Sequence, residues 1–215
     1  MPGHRAAESV RRVQIIKAAY DVASRKGLDR LTVRQVAAKA RLSAGLVLFH
    51  FKSKDQLIVA LLDWLLATTT ILHVGPEIQR IGSPLDRLLA LLRQEMDRLA
   101  SEPRRIRLFF EFWVLGGRNA EIGGKMRAEL ARYREAFRPM VQEVLLAEPE
   151  RFAHVTADGL AAVAVSFIKG CAVQSMIDPD RFDIADYLAA AEGLVGQMAR
   201  LTASSLNSSR PRAWT

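Results

Sequence analysis

The stretch that decides the fold runs from residue 32 to residue 57: Thr32-Val33-Arg34-Gln35-Val36-Ala37-Ala38-Lys39-Ala40-Arg41-Leu42-Ser43-Ala44-Gly45-Leu46-Val47-Leu48-Phe49-His50-Phe51-Lys52-Ser53-Lys54-Asp55-Gln56-Leu57. It holds three helix starts. Thr32 stands three residues before Gln35, and Ser53 three before Gln56. In such a capping box the hydroxyl accepts a backbone N–H of the first turn while the glutamine reaches back. Ser43 is a further N-cap. Val33, Val36 and Ala37 line the inner face of the first short helix, and Leu42 and Val47 turn the second inward. Two short helices joined by about four residues make a helix-turn-helix, whose second helix enters the DNA major groove by its N-terminal end. Ala44 and Gly45 are small enough to bring that helix close to the bases. Glycine inside a helix costs ~1 kcal/mol relative to alanine, so a contact is the economical reason for Gly45.

Upstream, Val13, Ile16, Tyr20 and Ala23 recur at spacings of three and four, which predicts a supporting helix from Arg11. Residues 1–9 are expected to fray. Gly27 stops the helix, and Leu28 and Leu31 of the connector can turn inward. Charge falls on the same region. Residues 1–54 carry 12 Lys or Arg against Glu8, Asp21 and Asp29, a balance of +9, whereas residues 55–215 carry 19 basic and 20 acidic residues. A field confined to one end draws in a polyanion.

Downstream the pattern is helical throughout and no strand pattern survives. Leu57, Leu61 and Trp64 or Leu65 stripe a helix expected to reach about His73, with a loop at 75–82. Ser83-Pro84 opens a leucine-rich helix, Ser101-Glu102-Pro103 the next, and Pro139 is expected to kink a helix over about 122–146. An apolar helix spans Leu160 to Ile177, and Asp183 caps the last, with Leu188, Leu194, Val195, Met198 and Leu201 inside it. The fold class read from this is all-α, about nine helices. A DNA-binding head covers 1–54, a ligand-binding and dimerisation body 55–205, and a mobile tail 206–215.

Cys171 is alone, which excludes an internal disulfide, and reads as a reduced core thiol. No apolar run of ~18 residues and no signal segment are read, which together point to the cytoplasm and away from a membrane. An enzyme finds no support. The four histidines are scattered, and no His-x-x-x-His, Cys-x-x-Cys or Gly-x-Gly-x-x-Gly spacing offers a metal or cofactor site.

Gly27-(x)4-Thr32-(x)3-Val36-Ala37-(x)5-Ser43-(x)1-Gly45, followed by His50-Phe51-(x)1-Ser53-Lys54-(x)2-Leu57, resembles the signature of the TetR family of bacterial transcriptional regulators. The Phe109–Trp113 segment and the Phe152–Asp183 region resemble the body of the choline–betaine regulator subfamily. The resemblance implies a homodimer built mainly from the last two long helices, bound to a palindromic double-stranded DNA operator as a repressor and released by a small-molecule effector. Thr32, Arg34 and Lys54 are then expected at phosphates, with Ser43 and its neighbouring amides beside another. Ala44 and Leu46 are expected at base edges, where apolar groups meet thymine methyls, His50 at the DNA backbone, and Phe51 in the packing of the head. Two positions depart from the family pattern. Leu48 stands where the family usually has a phosphate-contacting tyrosine. Arg41 replaces the turn glycine, which an arginine tolerates only if the dihedrals are not strongly left-handed, and adds a fifth cation within Arg34–Lys54. Base specificity is therefore expected from methyl contacts, flanking helices, DNA shape and Arg5, Arg11 or Arg12 reaching a groove from an N-terminal arm.

For the body, the expected pocket lining is Trp64, Leu92, Met96, Phe109, Trp113, Tyr133, Phe137, Phe167, Cys171 and Gln174, which suits an apolar or aromatic effector. His73 and Glu111 are further polar handles. The competing reading is a ligand-independent DNA-binding dimer or co-regulator with a solidly packed body.

Overall fold

A computed structural model of the chain describes residues 2–69 and 72–194, with side chains from residue 8 onward. Among these residues there are helices and no strand. Helix α1 (Pro2–Lys26) starts well before Arg11, so the fraying expected for residues 1–9 is replaced by continuous helix. Gly27 ends it in the left-handed region at φ 88°, where an added Cβ would also meet Glu111 Oε2 at 3.4 Å. Helix α2 (Val33–Ala40) carries the full capping box: Gln35 N donates to Thr32 Oγ1 at 3.3 Å and Thr32 N to Gln35 Oε1 at 3.2 Å. Helices α3 (Ala44–Phe51) and α4 (Lys54–Ala67) are capped by Ser43 and Ser53, each accepting a backbone N–H at 3.1 Å.

Helix α4 stops six residues before His73. The hydroxyls of Thr68 and Thr69 donate to the carbonyls of Trp64 and Leu65, and Arg105 donates to Leu65 O at 2.9 Å, so the last turn's acceptors are taken by side chains. The expected loop at 75–82 contains a helical turn, α5 (Pro76–Gln79), because Pro76 at the first position has its φ preset. Helices α6 (Pro84–Ala100) and α7 (Pro103–Gly116) fall where their Ser-Pro and Glu-Pro starts place them. Helix α8 (Ala120–Ala147) continues through Pro139, α9 (Ala157–Ile177) is capped by Thr156, and α10 is helical over residues 184–194, its first amides held by Asp183. Leu194, expected inside, is 60% exposed. Val195, Met198, Leu201 and the 206–215 tail lie outside the described residues.

Contacts gather into two compact units. The first joins Met1–Thr70 to Glu102–Leu130. In it Leu57, Leu61 and Leu65 of α4 share one core with Ile15 and Ala19 of α1, Val36, Val47 and Phe51, and with Leu108 and Phe112 of α7. The connector leucines Leu28 and Leu31 are inside, as their spacing predicts. Helices α7 and α8 meet at glycines: a Cβ on Gly123 would lie 2.5 Å from the carbonyl oxygen of Gly116.

The second unit holds Ile71–Ser101 and residues from Ala131 on. Leu88, Leu91, Leu92, Met96 and Leu99 of α6 are buried with Phe137, Val141 and Val144 of α8, and α6 packs on α9. By length and composition α9 could cross a membrane, with a mean hydropathy of 1.7, which corrects the reading that no such run exists. Leu160, Ala161, Ala164, Val165, Ile168, Cys171 and Ala172 of that helix are nevertheless buried in protein, the pattern of a core helix.

Candidate nucleic-acid interface

Helix α3 is held to the head from behind. Val47 and Phe51 are buried in the core. Arg12 lays its guanidinium over the Phe51 ring at 4.3 Å and donates to His50 O at 2.5 Å, placing a cation at the helix C-terminus, where the macrodipole favours it. Gln14 donates to Ala40 O at the end of α2. Arg12 is thus a clamp rather than part of a free arm, and Arg11 pairs with Gln14; the side chain of Arg5, the third residue expected to reach a groove, lies outside the described side chains.

What faces outward is the opposite stripe of α3. Gly45 is exposed, Leu48 is 41% exposed and Phe49 65% exposed, at spacings of three and four that place them on one side. Ala44 and Leu46 are half-buried, and Ala44 packs against the head core. Both flank Gly45 at the start of α3, whose register is set by inward Val47 and Phe51. Phe49 is not among the residues expected at DNA. It is fixed edge-on to His50 at 5.4 Å and lies under the Lys52 ammonium, also at 5.4 Å.

Gly45 has an ordinary helical backbone, and an added Cβ would find only Ser43 Oγ, at 4.0 Å. Nothing within the chain requires glycine here. Its helix cost is left without an internal reason.

The helix-turn-helix and its flanks carry several cations. Arg34 and Arg41 are exposed, while Lys54 Nζ reaches Asp29 O at 3.4 Å and Lys39 is engaged by Asp21 at 3.2 Å. Arg41 is left-handed, φ 57° and ψ 45°, capping α2 by donating to Ala38 O at 3.1 Å; the condition on which an arginine was expected to be tolerated is not met. Lys52, capping α3, has φ 62°. A non-glycine residue in this region costs about 1 kcal/mol. Two glycine-favouring sites therefore both carry exposed cations, which is readily understood if the charge is needed at that surface. Arg41→Gly is accordingly expected to leave the melting temperature equal or slightly higher, yet to weaken DNA binding and lower the slope of log K against log salt by about 1. Chemical denaturation and salt-dependent binding check the two halves.

His50 does not extend outward with that surface. Its Nδ1 is enclosed without a hydrogen-bond partner and borders a cleft of about 310 Å³ lined also by Arg12, Gln56, Asp63 and Glu121. Thr32 and Ser43 spend their oxygens on capping, with their side chains at the exposed rim.

The expected pocket residues divide between the units. Trp64, its ring tilted against Tyr20, and half-buried Phe109 belong to the first, as does Trp113, which is 38% exposed beside Phe110. Leu92, Met96, Tyr133, Phe137 and Cys171 are buried in the second, Phe167 is half-buried, and Gln174 is exposed. Glu111, expected as a polar handle, is engaged within the first unit. Its Oε2 accepts Leu28 N at 2.6 Å, tying α7 to the α1–α2 connector. The buried acid is Glu95, with no exposed surface; Arg98 grips both its oxygens and Tyr133 Oη donates to it at 3.0 Å.

Burial, and then the charge of Glu95, push the Tyr133 hydroxyl well above the usual tyrosine value. The unfolded chain loses this proton from pH 10 upward while the folded chain keeps it. The associated stability is therefore complete below pH 10 and declines above it. Phenolate absorbance of the folded protein at pH 11 should show Tyr133 still neutral, and its ionisation should coincide with unfolding.

Residues 15–61 match the family described as bacterial regulatory proteins, tetR family, and residues 84–200 match the BetI-type transcriptional repressor C-terminal family. The chain belongs to the TetR family, with a BetI-type C-terminal region. It is 28% identical over 156 residues to the transcriptional regulator BetI of Stenotrophomonas maltophilia, covering 73% of this chain and 78% of that one. It is 25% identical over 174 residues to the nicotine-responsive repressor HdnoR of Paenarthrobacter nicotinovorans, covering 79% and 85%. A solved transcriptional regulator from Rhodococcus sp. Rha1 shares the fold, with a TM-score of 0.66 at 24% identity, over 88% of this chain and 96% of that one. This TetR-family chain is a DNA-binding transcriptional regulator.

Proposed function

We propose that the protein is a homodimeric, cytoplasmic repressor that leaves a palindromic operator when a small apolar or aromatic effector binds its body. The observation that carries the DNA half is the outward face of α3, with Gly45 open and Arg34, Arg41 and Lys52 around it. Thr32, Ser43 and Lys54 sit at helix starts beside it, suited to phosphates. The repressor reading is supported by the BetI-type repressor match and by the name of the nicotine-responsive relative.

Dimerisation is supported within the second unit, where Val163 and Ile177 of α9 and Leu194 of α10 leave 44, 72 and 60% of their surface uncovered. An isologous contact covers such a face with its own copy. The division of labour follows, with reading in residues 1–54 and sensing and pairing in 55–205. The effector needs only unequal affinity for the DNA-competent and incompetent states. Tyr133, Phe137 and Phe167 are the aromatic groups of the second unit that would meet it.

One observation favours a ligand-independent dimer instead: Leu92, Met96, Phe137 and Cys171 are at most 2% exposed, as in a body packed solid. A thermal-shift screen of aromatic and cationic metabolites separates the two. For the DNA half, Arg34→Ala and Lys54→Ala should weaken all sequences alike and each lower the salt slope by about 1. Equal affinity of the unaltered protein for a selected palindrome and for scrambled DNA would overturn the assignment.

A further inference from the structure

We infer that α3 reads the 5-methyl groups of pyrimidines, so that thymine and 5-methylcytosine are equivalent partners at its contact positions. The inference rests on the DNA-reading role proposed above and specifies which part of the base is recognised.

Base edges are told apart in the major groove by hydrogen-bond donors and acceptors and by the thymine methyl. A helix that reads the former needs amide, guanidinium, ammonium, carboxylate or hydroxyl groups on its outward face. Helix α3 is Ala-Gly-Leu-Val-Leu-Phe-His-Phe and offers none of these. Its one polar side chain, His50, stands in the last turn with Nδ1 enclosed. The hydroxyl at its start, Ser43 Oγ, accepts Leu46 N at 3.1 Å and so serves as cap. What remains for the groove is Gly45, Leu48 and Phe49, on one stripe.

Three features make that stripe fit for methyl contact. Gly45 removes the side chain that would hold the backbone away, with open space where its Cβ would be. Leu48 offers a branched apolar end with 41% of its surface free. Phe49 presents 65% of its surface outward, edge-on to His50 and beneath the Lys52 ammonium. An exposed apolar stripe with Lys52 against Phe49, on a head that also exposes Arg34 and Arg41, is a poor water-facing surface and a good one against a methyl-lined groove between phosphates. Because such a surface senses shape and not donors or acceptors, it cannot tell thymine O4 from the amino group of 5-methylcytosine, but it does register loss of the methyl.

The test uses the full-length protein and duplexes enriched from random DNA. At each thymine of the enriched half-site, deoxyuridine replaces thymidine; in parallel, the same pair is changed to dC·dG and to 5-methyl-dC·dG. Burial of one methyl corresponds to about fourfold in affinity. The expected result is one or more positions where thymidine exceeds deoxyuridine and 5-methyl-dC exceeds dC by the same factor, about fourfold. Leu48→Ala or Phe49→Ala, checked to melt within a few degrees of the parent, should erase both ratios at one of those positions. An enriched site whose affinity is unmoved by deoxyuridine at every thymine, or a half-site without thymine, would overturn the inference while leaving the DNA-reading role standing. Failure to enrich any sequence would instead overturn that role, and the inference with it. If the inference holds, occupancy of a natural site changes with cytosine 5-methylation at those positions.

Discussion

Gly45→Ala is expected to give a protein that melts higher and binds its operator about tenfold less tightly. The two effects have separate origins. Within the fold, Gly45 has a helical backbone with room for a Cβ, so alanine restores up to ~1 kcal/mol of helix propensity without a clash. Against DNA, the same methyl stands at the first turn of α3, on the face with Leu48 and Phe49. Lifting the helix there loosens base-edge contacts on both flanks, and the loss of one good contact is about 1.4 kcal/mol, or tenfold. Denaturation and binding titrations on one preparation measure both. A variant that gained stability and kept full affinity would show that the glycine has no partner outside the chain.

The second large effect is in the other unit. Arg98→Met is expected to cost about 3 kcal/mol, because it leaves Glu95 with no exposed surface and no cation. For a chain of this size that lowers the melting temperature by about 6–12 °C. Tyr133 Oη still donates to Glu95, but one neutral donor does not offset a buried charge. Replacing both residues, Glu95→Met with Arg98→Met, removes the charges together and should recover most of the loss, the remainder being the unpaired Tyr133 hydroxyl at about 1 kcal/mol. If the double variant is as unstable as the single one, the pair matters for packing and not for charge.

The parts of the fold that were legible in the sequence are those set locally. The caps at Thr32, Ser43, Ser53 and Ser83 and the stop at Gly27 each follow from a few adjacent residues, and each is found. The misjudged boundaries are those decided at a distance. Helix α4 ends where Arg105, far along the chain, takes the carbonyl of Leu65. The left-handed backbone at Arg41 is imposed by the turn between α2 and α3, not by arginine's own preference.

Sites show the same split. Glu111 looked like an effector handle because nothing near it in sequence reveals that Leu28 N, 83 residues away, needs its oxygen. Glu95 could have been found: Leu88, Leu92, Glu95 and Leu99 lie at spacings of four, three and four, which places the acid in the apolar stripe. Phe49 could also have been found, since inward Val47 and Phe51 leave Phe49 facing out. The family signature drew attention to Ala44, Gly45 and Leu46, and the helical register adds Leu48 and Phe49 to the exposed side.

The central claim is that a positively rimmed, apolar α3 enters a major groove while its twin does the same on the other half of a palindrome. Hydroxyl-radical footprinting of the full-length protein on an enriched duplex tests it most directly. Two protected patches on one face, related by a two-fold axis and centred about one helical turn or a multiple of it apart, are predicted. A single patch, or uniform protection that disappears on moderate salt, would contradict it.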